Sequence, residues 1–202
     1  MDVVYTDFSK AFDTVETGVL LHELRSCGIS GRIGCWLASF LDSTKRKQAV
    51  VVDGRVSPLV PVISGVPQGT VLGPVLFLVH IWNIASSLSQ STTATSFADD
   101  TRVQRGVRSL SDCTDLQYDL NHIYEWATTV NMRFNSEKFE CLRFWADPEK
   151  VPSFQYLASD NSPFTVKSDL RDLGIRISSN LIFTTHIENT IQAGSKLVGC
   201  GL

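Results

Sequence analysis

The chain has 202 residues, 43% of them hydrophobic and 19% charged, enough to bury one real core as a domain or a domain and a half. Its net charge of −3 gives no overall attraction to nucleic acid or to an anionic membrane surface, which argues against a self-sufficient nucleic-acid enzyme. Five scattered cysteines (Cys27, Cys35, Cys113, Cys141, Cys200), with no Cys-x-x-Cys pair and no histidine at zinc spacing, fit a reducing intracellular compartment best, and no structural zinc is expected.

Met1-Asp2 runs straight into Val3 to Phe8, a β-branched and aromatic stretch that predicts a buried strand ending at Asp7. No basic leader or cleavage site precedes it, so the expected location is intracellular, nucleus or cytoplasm, and not secreted. Leu20, Leu21, Leu24 and Cys27 recur at helical spacing before Gly28, predicting a helix from Thr17 to Cys27. Ser30 is placed to cap a second helix, Gly31 to Leu41, with Trp36, Phe40 and Leu41 inward. The basic cluster Lys45-Arg46-Lys47 reads as a solvated loop or as a contact for a phosphate backbone. Gln48 to Val52, Asp53-Gly54 and Arg55 to Ile63 then read as a hairpin.

Ser64 to Gly69 is dense in glycine and proline, and Gly73-Pro74 opens an apolar helix through about Leu88. The apolar stretch Val71 to Ile84 is too short to span a bilayer and contains His80 and Asn83, so no membrane partner is expected. Thr93 to Ala98 and Thr101 to Gln104 form the arms of a second hairpin. Ser111 is placed to cap a helix lined by Leu116, Leu120, Ile123, Ala127 and Val130. Phe139 to Trp145 reads as a strand, and Asp147 to Ser162, with Pro148 and Pro152, as the least ordered segment and the domain boundary. Leu170 to Ile177 is a short β segment, and His186 to Val198 a helix.

Chemistry concentrates in the acids. Asp99-Asp100 sits at a hairpin tip between β-favouring residues, and Asp7 closes a strand far upstream. An Asp-Asp pair at a turn is commonplace, because Asp tolerates turn dihedrals and bonds its own backbone. Acids gathered on one sheet repel, however, and a divalent cation between them removes the repulsion, which points to metal-assisted chemistry on phosphate.

Four segments supply the context: Asp7-Phe8-Ser9-Lys10-Ala11-Phe12-Asp13-Thr14-Val15, SGVPQGTVLGP from Ser64 to Pro74, Phe97-Ala98-Asp99-Asp100-Thr101, and Asn135-Ser136-Glu137-Lys138. In this order and spacing they resemble the consecutive polymerase motifs of the reverse transcriptases of non-LTR, LINE-like retrotransposons. Asp172-Leu173-Gly174-Ile175 is similar to the following segment, which carries the family's primer grip at Leu173 and Gly174. The resemblance runs from about residue 3 to about residue 198. It implies an α+β polymerase palm, an antiparallel sheet backed by helices, over residues 1–146. Residues 147–202 would hold the palm end, the primer-grip-like segment and the start of a thumb.

The resemblance also assigns roles. Asp7 and Asp99 become the bridging ligands of two Mg²⁺ ions, with Mn²⁺ as a substitute, and Asp100 a looser third ligand and catalytic acid. Asp13 is left structural. Phe12, which on burial alone reads as core, becomes a gate beneath the sugar. Gln68 and Gly69 approach the incoming nucleotide, and Lys138 the leaving pyrophosphate, though a lone lysine is otherwise merely solvated. The implied partners are an RNA template, a DNA primer and deoxynucleoside triphosphates.

Two departures qualify the match. His80-Ile81-Trp82-Asn83 stands where the family carries a Tyr-Ile-Asn-Asp-like run, and the chain starts just before Asp7, so fingers, most of the thumb and an endonuclease are expected to belong to a longer, full-length element. The expectation is therefore a truncated RNA-directed DNA polymerase domain, with the activity of this segment alone left open. The rival reading is a catalytically silent palm remnant acting as a nucleic-acid or protein binding module. A palm-type nucleotide cyclase would explain the acids but not SGVPQGTVLGP.

Overall fold

β1 (Asp2–Asp7) forms from the β-branched run at the start of the chain and buries Val3, Val4 and Thr6. The computed structural model to which it belongs describes residues 1–145 and 152–199. Lys10, with a φ of 51°, turns the chain into the one-turn helix α1 (Ala11–Thr14). α2 (Thr17–Ser26) buries Leu20 and Leu24 and stops before Gly28, whose φ of 84° suits a left-handed cap. α3 (Gly31–Leu41) begins after Ser30 as predicted, but its buried residues are Leu37 and Leu41. Trp36 is 54% exposed and stacks on Phe40 at 5.3 Å, so the inward position predicted for it is taken by the next residue round the helix.

Two short ladders follow: β2 (Lys47–Gln48) pairs with β5 (Val60–Pro61), and within them β3 (Val51–Val52) pairs with β4 (Arg55–Val56). Asp53 and Gly54, at φ 48° and 76°, close the inner ladder with the signs of a type I′ turn. α4 (Leu72–Ile81) ends at Ile81 rather than Leu88, and turns occupy the remainder. There the Trp126 indole donates to Asn83 Oδ1 at 2.7 Å, a tertiary contact that local propensity does not announce.

β6 (Thr92–Phe97) and β7 (Asp100–Arg105) make the second hairpin. α5 (Leu110–Thr129) is capped by Ser109 rather than Ser111, through a reciprocal capping box with Asp112. β8 (Glu140–Arg143) forms the middle of the predicted Phe139 to Trp145 strand. Pro148 and the start of the expected boundary lie outside the described residues. Beyond them Tyr156, Ala158 and Phe164 are buried in the same core, and β9 (Thr165–Lys167) joins β8 in parallel. β10 (Asp169–Asp172) and β11 (Ile175–Ser178) turn the predicted β segment into a hairpin around Leu173-Gly174, and α6 (Thr184–Gly199) follows.

The main sheet has the order β6-β7-β1-β8-β9 and is antiparallel except for the last pair, matching the expected α+β arrangement. Residues directly opposite one another share a face, so register sorts the side chains. Asp2, Val4 and Thr6 of β1 line up with Arg105, Val103 and Thr101 of β7 on one face, and Tyr5 and Asp7 line up with Arg102 and Asp100 on the other. The first face is buried with Leu116, Leu120 and Ile123 of α5 and Phe77 of α4, each such side chain contributing about 1.5–3 kcal/mol. Charged groups on that face are paired: Tyr156 donates to Asp2 at 2.8 Å, and Arg105 pairs with Asp115 at 2.6 Å, while Arg105 Nε is buried without a partner. That core leaves the acid-bearing face free for another use. Among the described residues no helix is long and apolar enough to cross a membrane.

Candidate active site

β6 and β7 meet through Ala98-Asp99, with Phe97 opposite Asp100 and Ala98 at φ 53°. A non-glycine residue in that region is strained, which is characteristic of functional turns. β7 then pairs with β1 so that Asp7 stands directly opposite Asp100. Two like charges facing each other across a ladder destabilise it. The consequence is visible in Asp100: burial, then Asp99, Asp7 and Asp172, raise its pKa, and only Lys138 opposes them.

Lys138 reaches the acids from the turn that precedes β8. Asn135 N–H donates to the Asp7 carbonyl at 2.9 Å and Ser9 N–H to the Arg133 carbonyl at 2.8 Å, fixing that turn to the end of β1. The Lys138 ammonium pairs with Asp7 Oδ2, and its pKa is raised by Asp7 first and then by Asp99 and Asp100. Asp7 and Asp99 therefore both act on Asp100, and all three act on a single lysine. Among the described residues no three His, Cys, Asp or Glu side chains already converge as a metal-ligand set. The donors are hard carboxylate oxygens in an open site, which suits a hard divalent cation, although an ammonium already pairs with one of them.

A cleft of about 360 Å³ opens over this face, lined by Asp7, Asp100, Lys138, Arg102, Asp172 and Leu173 among others. The β10–β11 hairpin forms its far wall. Arg102 Nη1 binds Asp172 Oδ2 at 2.6 Å, with Asp172 nearly buried, and Leu170 is 5% exposed. Beneath them the Tyr5 hydroxyl is pushed up to about 12 by burial and then by Asp172, against the pull of Arg102. Sequence reasoning missed Tyr5, Arg102 and Asp172. The signal for Asp172 was its alternation with Leu170, which puts both on one side of β10.

The glycine loop docks on the other flank of Asp7. Gly65 N–H donates to the Val15 carbonyl and Val66 N–H to the Phe12 carbonyl, at 2.8 and 2.9 Å. Gln68 Nε2 donates to Asp13 Oδ1 at 2.6 Å, so Asp13 holds the loop, in keeping with its structural assignment. Gly69, at φ 76°, has open space where a Cβ would lie. Phe12 is half-buried and stacks on Phe77 with centroids 4.5 Å apart. Asp7, Asp100, Lys138 and Leu173 thus share the cleft, whereas Asp99, Gly174, Phe12, Gln68 and Gly69 are not part of its wall.

A family model described as "Reverse transcriptase (RNA-dependent DNA polymerase)" matches residues 3–161. The "RNA-directed DNA polymerase from mobile element jockey" of Drosophila melanogaster is 30% identical over 200 residues, covering 94% of this chain and 21% of that protein. The "Putative 115 kDa protein in type-1 retrotransposable element R1DM" of the same organism is 27% identical over 196 residues, 96% of this chain and 18% of that protein. The chain thus spans about a fifth of the length of these relatives. Among solved structures, apo telomerase from Candida tropicalis aligns with TM-score 0.59 at 11% identity, over 90% of this chain and 34% of that one. At that identity the likeness speaks to the fold alone.

Proposed function

The chain belongs to the reverse transcriptase (RNA-dependent DNA polymerase) family, and on that premise we propose that it is the palm segment of a retrotransposon RNA-directed DNA polymerase, with its metal-holding acids at the β1 end and the β6–β7 tip. The observation that carries this reading is the register that sets Asp7 opposite Asp100, with Asp99 in the adjoining turn and Lys138 bridging to Asp7. Asp7 and Asp99 would hold Mg²⁺ or Mn²⁺, with Asp100 beside them. Such ions supply stabilisation of the attacking and leaving oxygens in an in-line displacement at phosphorus.

The chain's own groups have distinct tasks in that reaction. Lys138 brings a cation to the cleft for the phosphates of a deoxynucleoside triphosphate. Phe12, braced by Phe77, limits space under the sugar, and Gln68 and Gly69 border the nucleotide from the glycine loop. The Leu173-Gly174 turn follows Asp172, which Arg102 holds at the cleft, and would meet a primer terminus there. The RNA template, DNA primer, and the remaining fingers, thumb and endonuclease are proposed partners in a full-length element.

The test is primer extension on RNA by a chimera in which this segment replaces the equivalent part of an active relative. Asp99→Asn should lower extension by orders of magnitude while template binding persists. Phe12→Val should leave deoxynucleotide use largely intact and raise ribonucleotide incorporation, since widening a pocket alters a kcat/KM ratio. Near-parent activity in Asp99→Asn would favour the rival reading, a silent palm that only binds.

A further inference from the structure

Lys138 occupies an oxygen that the proposed chemistry requires. It ends the 3₁₀ turn Ser136–Lys138, whose neighbouring backbone is bonded to Asp7 and Ser9, so the lysine's backbone is anchored within reach of Asp7. The side chain of Asp7 is 15% exposed and that of Lys138 is 62% exposed. The carboxylate is therefore held in the site, while the ammonium can return to water by rotating its own stem. Among the described residues no other ion pair reaches Asp7, Asp99 or Asp100, and the lysine's one positive charge leaves this trio two short of neutrality. A divalent cation brings the missing charge, but at Asp7 it meets an ammonium of like sign on the same carboxylate.

We propose that Lys138 is the resident counter-ion of Asp7 and that a divalent cation has to displace it, so that metal entry and release of Lys138 into the cleft are one exchange. The proposal rests on the reading of Asp7 as a metal ligand. Before metal arrives, the lysine offsets the repulsion between Asp7 and Asp100 across the ladder and keeps β1 and β7 in register. After exchange, its ammonium lies free in a cleft that Arg102 and Arg171 also line, available to the oxygens of a phosphate chain. Seating the metal and presenting the cation then occur together, which orders the site without movement of the sheet.

The experiment is Mn²⁺ binding to the purified 202-residue chain, followed by the paramagnetic resonance signal of free Mn²⁺. Lys138→Met should lower the Mn²⁺ dissociation constant about fivefold, the size expected when an ion pair at a largely exposed lysine stops competing. Lys138→Arg should remain near the parent value because the competing charge persists. Lys45→Met, which removes a charge paired with Asp42, should leave the constant unchanged. Asp7→Asn should weaken binding in every background. If Asp7→Asn weakens binding but Lys138→Met does not tighten it, or if Lys45→Met tightens it equally, the exchange is overturned and Asp7 stands as a ligand. If no variant shows Mn²⁺ binding sensitive to Asp7, the metal reading falls and the exchange falls with it.

Discussion

Replacing Gly65 with alanine should force the glycine loop away from the turn that follows Asp7. Gly65 has φ +85°, and a Cβ there would lie 2.8 Å from the Phe12 carbonyl oxygen, 2.9 Å from Asp13 Cα and 3.0 Å from the Asp13 carbonyl oxygen. All three are backbone atoms, so relief requires the two loops to separate and the bonds from Gly65 N–H and Val66 N–H to lengthen. An L-residue in the left-handed region costs about 1–2 kcal/mol, and overpacking against backbone about 1–3 kcal/mol more. Gly69 is the internal control: its φ is +76°, but no atom lies within 4 Å of the added Cβ, so Gly69→Ala meets only the conformational cost. For a chain of this size about 1 kcal/mol moves Tm by about 2–4 °C. Thermal unfolding followed by circular dichroism should show Gly69→Ala lowered by about 2–8 °C, and Gly65→Ala by about twice to three times as much. Equal losses in the two variants would refute the close approach of the loops.

The pairing of Arg102 with Asp172 predicts an asymmetry. Arg102→Leu leaves a nearly buried carboxylate uncompensated and should cost about 2–3 kcal/mol, Asp172→Leu should cost less, and the double variant should recover part of the loss. Hydrogen exchange of residues 169–178 reads it, and additive losses would show that the pair does not hold the hairpin. His80 is fully buried, and desolvation holds its pKa below the ordinary 6.5 against Glu23, Glu16 and the Val130 backbone. The unfolded chain then takes up a proton that the folded one refuses. Its contribution to stability is complete above about pH 6.5 and falls as the pH drops below that value. Urea titrations should show this loss between pH 7 and 5 flattened in His80→Leu, and an unchanged slope would rule out His80 as its source.

Local patterns carried most of the fold. The alternation on either side of Asp99-Asp100 and the Asp53-Gly54 pair placed two hairpins, because turn dihedrals and period-two burial are properties of adjacent residues. The stripe Leu116, Leu120, Ile123, Ala127 and Val130 located the face of α5 for the same reason. Helical spacing gives a stripe but not its rotation, so Trp36 lies exposed and stacks on Phe40, which itself packs against the core. In the site, the acids stood out as motif residues. The Lys138–Asp7 and Arg102–Asp172 contacts join residues 131 and 70 positions apart, and only the folded sheet brings them together. Asp13 illustrates the same limit: its bond to Gln68 spans 55 residues and gives a contact to an acid that the family resemblance left only as structural.

The polymerase reading turns on a divalent ion shared by Asp7 and Asp99. Crystals of the chain soaked with Mn²⁺ and a deoxynucleoside triphosphate, measured at the manganese absorption edge, test it without recourse to activity. The expected result is an anomalous peak between the carboxylates of Asp7 and Asp99, with a second peak about 3.5–4 Å away when the triphosphate is seated. Manganese bound instead at Asp13, or absent from Asp7 while other acids of the chain are occupied, would contradict it.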